Sequence, residues 1–254
     1  MATVKKAQAK RMSLDEAMRA LEKAGSEQTR KTYARHGAKG PMFGVSFATL
    51  KTLVKKVGVD HELALALWDT GNFDARILAV KLADPAQATA ALLDRWAGEM
   101  TTTRMCGGYV AMLAAEGPLG KKKAAEWLAK GSARRAAGWT LLGFLASLDE
   151  DSPDSEFVAR LAEIEKTIAA APNAEREAMN SALIQIGCRN DALRKAALAA
   201  AKRIGKVEVD HGDTACETPD AAERIEKAWA HSKSKGFASP AEHERSREPM
   251  RTRC

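Results

Sequence analysis

The chain has 254 residues, 45% of them hydrophobic and 5% aromatic, with Lys plus Arg at 40 and Asp plus Glu at 33 for a net charge of +7. That is enough for one large domain or two small ones with a substantial core, and the basic surplus suits an anionic partner as well as a merely basic protein. No run approaches the ~20 apolar residues of a membrane span. The opening M-A-T-V-K-K-A-Q-A-K-R has no apolar stretch of the signal-peptide kind. The four cysteines, at 106, 188, 216 and 254, show no C-x-x-C spacing, so zinc and thioredoxin-like chemistry are both unsupported. A cytoplasmic protein with free thiols, no metal and no cofactor is the expectation.

Ala, Leu, Glu, Lys and Arg dominate and β-branched runs are scarce, which predicts an all-α protein. Residues 1–12 read as a basic, flexible lead. Ser13 caps a helix over 14–25 with Leu14, Met18 and Leu21 on one face. Residues 30–44, with three glycines and Pro41, read as a loop. Ser46 is an N-cap, followed by Leu50, Leu53, Val54 and Val57 at helical spacing and a stop at Gly58. Asp60 starts the next helix, with Leu63 and Leu67 one turn apart. A turn at Thr70-Gly-Asn leads to Phe73, Ile77 and Val80, and the helix ends at Asp84-Pro85.

The same short-helix, turn, short-helix unit recurs. A helix over 86–97 pairs with one near 101–115, and 121–130 pairs with 132–148. Ser152-Pro153 opens a helix striped by Phe157, Leu161, Ile164 and Ile168. Helices over 174–186 and 191–204 complete the series. A helix pair every ~35–40 residues is a repeat rhythm, and stacked pairs can bury a face that one pair cannot. After Gly205 the pattern breaks. Residues 206–219 read as a loop, 219–230 as one more helix, and 231–254 as a disordered charged tail.

Phe43-Gly-Val-Ser, Leu67-Trp-Asp and Arg134-Arg-Ala-Ala resemble motifs of the AlkD-like DNA alkylation-repair glycosylases, over roughly residues 13–205. The resemblance implies a HEAT-like helical-repeat solenoid, an α-α superhelix curved around a basic concave face, with DNA as partner. It also implies excision of alkylated purines by a tryptophan, an aspartate and an arginine converging on that face. An aromatic face stabilises a cationic base or sugar, and a carboxylate stabilises the charge developing at C1′. The segment Met100–Val110 departs from this pattern: Thr103 stands at the tryptophan and Gly107 at the catalytic aspartate. Gln185 stands at a second tryptophan, while Arg135 matches the family arginine. Glycine offers no carboxylate, and no Asp or Glu lies between Met100 and Ala115. Glu99 and Glu116 flank that stretch as the alternative acids.

The expected function is therefore DNA binding related to alkylation repair, by phosphate contacts and shape and without standard base excision. The alternatives are an active alkylpurine glycosylase using a different carboxylate and a protein–protein adaptor that kept the solenoid. The expected DNA contacts are Arg135, Arg134 and Arg104, the run Lys121, Lys122 and Lys123 at a helix start, and Lys51 with Lys55. Two adjacent helical arginines point about 100° apart, so one faces a groove when the other does not. Lys202, Arg203 and Lys206 form a further cluster. The five tryptophans read as packing. His211, Asp213 and Cys216 share one loop but fall short of a closed metal set.

Overall fold

The computed structural model describes residues 11–100 and 104–253, with the side chains of 104–107 left out. About 69% of the chain is helical, and no strand occurs among the described residues. The helices are α1 (Leu14–Ala24), α2 (Glu27–Arg35), α3 (Phe47–Val57), α4 (His61–Asp69), α5 (Phe73–Leu82), α6 (Ala90–Glu99) and α7 (Arg104–Ala115). There follow α8 (Gly120–Leu128), α9 (Arg135–Leu148), α10 (Asp154–Thr167), α11 (Asn173–Gly187), α12 (Asp191–Ile204), α13 (Ala221–Ser234) and α14 (Pro240–Arg245). Side-chain caps set most starts. Ser13 and Glu16 form a reciprocal capping box, and Ser46, Asp60, Asn72, Thr89 and Asn190 each accept from a backbone N–H three residues on.

Consecutive helices pack as pairs, with α4 on α5, α8 on α9 and α11 on α12. The odd-numbered helices then form one row, α3 against α5, α5 against α7, α7 against α9, α9 against α11 and α11 against α13. This is a stack of helix pairs of the HEAT-like kind. The core runs down the stack without a break. Helix α9 gives Leu141 and Leu145 to the N-terminal cluster, and Trp139, Leu142 and Ala146 to the C-terminal one. A helix buried on nearly every side is expected to be apolar nearly all round; α9 comes close, while α5 is buried as fully but carries Asp74 and Lys81 inside, each satisfied by partners.

Phe43-Gly-Val-Ser is a structural motif. The buried Asp74 carboxylate of α5 accepts the backbone N–H groups of Phe43, Gly44 and Val45 at 2.7, 3.0 and 2.8 Å. Gly44 has φ +77°, and a Cβ there would lie 2.4 Å from the Ser26 carbonyl oxygen. Glycine is the residue that meets both conditions.

Three expectations are corrected. Residues 30–44 are not all loop: α2 runs to Arg35, capped by the Ser26 hydroxyl. It buries only Tyr33, so it lacks the stripe by which a helix is recognised. Helix α6 starts at Ala90 rather than near 86, because Pro85–Gln87 forms a separate 3-10 turn. The third concerns 231–254, read as disordered. Helix α13 continues to Ser234, α14 follows, and Met250–Thr252 makes a further 3-10 turn. This segment buries Ser232, Ser239, Ala241, Met250 and Arg251. It is fixed less by apolar area than by charged side chains on backbone carbonyls and acids, which composition does not reveal. Arg245 donates to the Ser147 carbonyl, Arg251 pairs with Glu116, and Arg253 pairs with Glu244.

Candidate nucleic-acid interface

The row formed by α7, α9 and α11 encloses a groove of about 630 Å³. Its walls follow helical spacing. Helix α9 and the residues before it present Ala133, Ala136, Ala137, Thr140, Gly143 and Phe144, while α11 presents Ala174, Glu177, Ala178, Ser181, Ala182 and Gln185. Most of these side chains are small, so a ligand can approach the backbone of both helices. Among the described residues, the charged groups in the lining are Arg134 and Glu177. Among those residues, the groove lining thus carries one positive and one negative side chain.

The adjacent arginines diverge as their helical phase requires. Arg134 lines the groove and donates from Nε to the Asp94 carbonyl at 3.1 Å. No described carboxylate pairs with it. Arg135 instead lies between repeats. Its Nε donates to Glu175 at 2.7 Å, its Nη2 to Glu163 at 3.1 Å and its Nη1 to the Leu128 carbonyl. Its side chain is 20% exposed. Burial would lower its pKa, but the carboxylates of Glu175 and Glu163 hold it above the usual arginine value.

Arg135 belongs to a recurring structural unit, in which a buried tryptophan donates its indole N–H to a carboxylate that also takes a cation. Trp139 and Arg135 share Glu175. Trp68 and Arg76 share Glu99, each at 2.7 Å. Trp127 and Lys123 share Asp94, again at 2.7 Å. Arg76 lies 5.0 Å over the Trp68 ring and Arg135 5.9 Å over Trp139. The same three-part joint ties neighbouring repeats at three levels of the stack. Arg135 is accordingly a joint residue, rather than the solvated side chain that the sequence led us to expect.

Lys123 is corrected for the same reason. Its side chain is 2% exposed, with its ammonium on Asp94 and Glu126. Burial opposes its charge, but these two carboxylates raise its pKa above the usual lysine value. Lys121 sits 3.1 Å from Asp149, and Lys122 lies 3.9 Å from Glu126. Both stay exposed. Lys55 is exposed and Lys51 half-buried on α3, away from the groove lining. Neither has an ion pair among the described residues. Arg203 pairs with Glu165 and Lys206 with Glu208. Arg104 and Gly107 fall in α7, where side chains are not described, and Thr103 lies outside the described residues.

The two flanking acids are both engaged. Glu99 serves the Trp68–Arg76 joint. Glu116 accepts the Arg251 backbone N–H at 3.0 Å, and its other oxygen lies 2.9 Å from Arg251 Nε. The carboxylate that lines the groove is Glu177, which sequence reading passed over. The signal was present, since Ala174, Glu177, Ser181 and Gln185 repeat at three and four residues. In an Ala-rich chain, however, a stripe of small residues does not stand out. Gln185 lines the groove and accepts from Ser147 Oγ at 3.2 Å.

The five tryptophans are buried, and Trp68 stacks on Trp96 with ring centroids 4.2 Å apart. His211 meets Thr218 at 2.9 Å, and the 206–219 loop is tied down by reciprocal bonds between Asn173 and Asp210. Burial pushes the Cys188 thiol up to about 12. Among the described residues, no group of three or more His, Cys, Asp or Glu is placed to hold a metal ion, and no helix is long and apolar enough to cross a membrane.

Stacked helix pairs of this kind define a HEAT-like repeat protein. The model of the DNA alkylation repair enzyme family matches residues 17–225, and the chain belongs to that family. It aligns with a solved structure described as a new family of proteins related to the HEAT-like repeat DNA glycosylases with affinity for branched DNA structures. That match has a TM-score of 0.78 and 30% identity, covering 89% of this chain and 96% of the other. Two uncharacterised proteins are also similar. Lin0241 of Listeria innocua is 29% identical over 223 residues, and Lmo0209 of Listeria monocytogenes is 28% identical over 222 residues. Each of these alignments covers 85% of this chain and 95% of the relative.

Proposed function

We propose that this protein binds DNA, with branched or distorted DNA preferred over plain duplex, along a concave face centred on the α7–α9–α11 groove, and that it does not carry out standard base excision. The observation that carries the reading is the 30% identity, over 89% of this chain and 96% of the other, to a structure described by affinity for branched DNA. Local chemistry agrees. Arg134 lines the groove and pairs with no described carboxylate, and a guanidinium suits a phosphate through its paired donors. Small walls admit a phosphate backbone without demanding particular bases. Arg104 is a further phosphate contact in this reading, and Lys121, Lys122, Lys51 and Lys55, outside the groove lining, are others. The acid expected for excision is Gly107, and Glu99 and Glu116 are held in structural pairs.

One observation favours a second reading. Glu177 puts a carboxylate in the groove, and a carboxylate there could stabilise a developing cation. The deciding experiment offers intact, alkylated and branched DNA to the purified protein and measures binding and base release together. Binding with the branched form tightest and no release supports the proposal. Release that disappears in Glu177→Gln establishes excision instead. Absence of any binding at low salt leaves the protein-adaptor alternative.

A further inference from the structure

The C-terminal segment builds a second cavity against the groove. Trp229 donates to the Gly187 carbonyl at 2.8 Å, Ala241 N–H to the Cys188 carbonyl at 3.1 Å and Arg245 to the Ser147 carbonyl at 2.9 Å. Gly187 makes room for this docking, since a Cβ there would lie 2.6 Å from Ile225 Cδ1. Between this cap and the ends of α7, α9 and α11 lies a space of about 580 Å³. Phe144 and Gln185 line both this space and the groove, so the two adjoin.

The charge is concentrated on the cap side. The lining includes Arg224, Lys227, Arg247 and Arg253 against a single carboxylate, Glu244, with His231 and His243 beside them. Arg224, Lys227 and Arg247 are exposed. Arg224 has no ion pair among the described residues. Lys227 pairs with Glu223 at the surface, and Arg247, itself exposed, lies 3.3 Å from the half-buried Glu244, which also pairs with Arg253. An exposed pair such as Lys227–Glu223 gives way to a phosphate at little cost. On α13, Arg224, Lys227 and His231 share one face and span about 10 Å along the helix axis. A DNA strand advances about 3.4 Å of helix axis per phosphate, so that face matches about three phosphates. Lys227, His231, His243 and Arg247 all lie beyond residue 225, where the family match ends.

We infer that the cap formed by 221–253 is a second phosphate-binding wall, which takes the sugar–phosphate backbone of a DNA arm leaving the groove at a branch point. The inference rests on the DNA reading above and deepens it. The groove holds one arm by shape, and the cap holds the next by charge. Branched DNA then gains contacts that linear duplex does not.

The test is the triple variant Arg224→Ala, Lys227→Ala, Arg247→Ala, titrated by fluorescence anisotropy with a four-way junction and a linear duplex at several salt concentrations. The expected result is a tenfold or greater loss on the junction. The log–log salt slope should flatten there by about 2.7, near 0.9 for each of three phosphates. Duplex affinity should change less than threefold. An equal loss on both DNAs, or no loss on the junction, overturns the inference. If the wild-type protein binds neither DNA at low salt, the DNA reading itself fails and takes the inference with it. Should the triple variant melt early, the single change Lys227→Gln keeps the question open to measurement, with a twofold to threefold loss expected on the junction alone and an unchanged junction affinity overturning the cap.

Discussion

Lys81 and Arg251, 170 residues apart, donate to each other's backbone: Lys81 Nζ reaches the Arg251 carbonyl at 3.0 Å, and Arg251 Nη1 reaches the Lys81 carbonyl. Lys81 also donates to the Arg253 carbonyl at 2.6 Å and lies 4.5 Å from the Tyr109 ring. Both side chains are buried, at 1% and 4% exposure for the two residues. The end of the chain is thereby fastened to α5 and α7 in the N-terminal half, so the stack is tied across its length and not only between neighbours. Arg251→Ala should remove this tie and leave Glu116 without its cation, at a cost of roughly 3–5 kcal/mol. Arg247→Ala, which loses only an exposed contact to Glu244, should cost under about 1 kcal/mol. Denaturant midpoints of the two variants decide the matter, and similar values would refute the tie.

The neighbouring arginines of α9 should separate stability from binding. Arg135→Ala deprives Glu163 and Glu175 of a partly buried cation and should cost about 2–3 kcal/mol of stability, discounted for its partial exposure. DNA affinity measured on the folded variant should hardly move. Arg134→Ala should behave oppositely, with a small change in melting temperature and a loss of about 1–3 kcal/mol in DNA binding. Weakened binding from Arg135→Ala in a protein of unaltered stability would return that arginine to the interface.

Asp74 should be among the least replaceable polar residues of the N-terminal half. Asp74→Ala strands three backbone N–H groups, those of Phe43, Gly44 and Val45. Each unsatisfied buried donor costs about 1–3 kcal/mol. A loss of roughly 3 kcal/mol or more follows, together with faster amide exchange at 43–45. Exchange that stays slow in the variant would show that the motif is held by other contacts.

The helices with an apolar stripe were legible in the sequence, because Leu50, Leu53, Val54 and Val57 repeat as a helix face must. Helix α2 was not, since Tyr33 alone is buried. The cap was misread because Arg245 and Arg251 bind it to carbonyls and an acid far away in sequence, and composition counts such residues as solvated. In the candidate site, the motif Arg134-Arg-Ala-Ala falls at the start of α9, which lines the groove, but the sequence did not tell which of its arginines enters the lining. A pair such as Arg134-Arg135 is known to diverge, yet which member faces the groove depends on the phase of α9 relative to α11, a tertiary quantity. The Trp–carboxylate–cation joints were equally invisible, because Trp139 and Glu175 lie 36 residues apart. The expectation of a glycine, Gly107, at the acid's position rests on the sequence resemblance alone.

The joint between Lys123, Asp94 and Trp127 should set the pH window of stability for the central repeats. Burial works against both charges, but Lys123 and Trp127 together bring the Asp94 pKa below the usual aspartate value. Asp94 and Glu126 raise that of Lys123. The depressed carboxylate contributes stability that is present above the unfolded aspartate pKa of about 3.9 and is lost as pH falls through the lower folded value. The raised ammonium contributes stability that is present below the unfolded lysine pKa of about 10.4 and is lost as pH climbs through the higher folded value. Between those limits this pair should give no pH dependence. Lys123→Met removes the buried ammonium while keeping an apolar stem of similar length. The Asp94 carboxylate then loses its main cation and its pKa should rise. Acid unfolding of the variant should therefore begin at higher pH than in the wild type, while the alkaline limb loses the Lys123 contribution. Melting temperatures recorded from pH 3 to pH 11 test both limbs, and an acid limb that coincides with the wild-type curve would show that Asp94 is held by Trp127 alone.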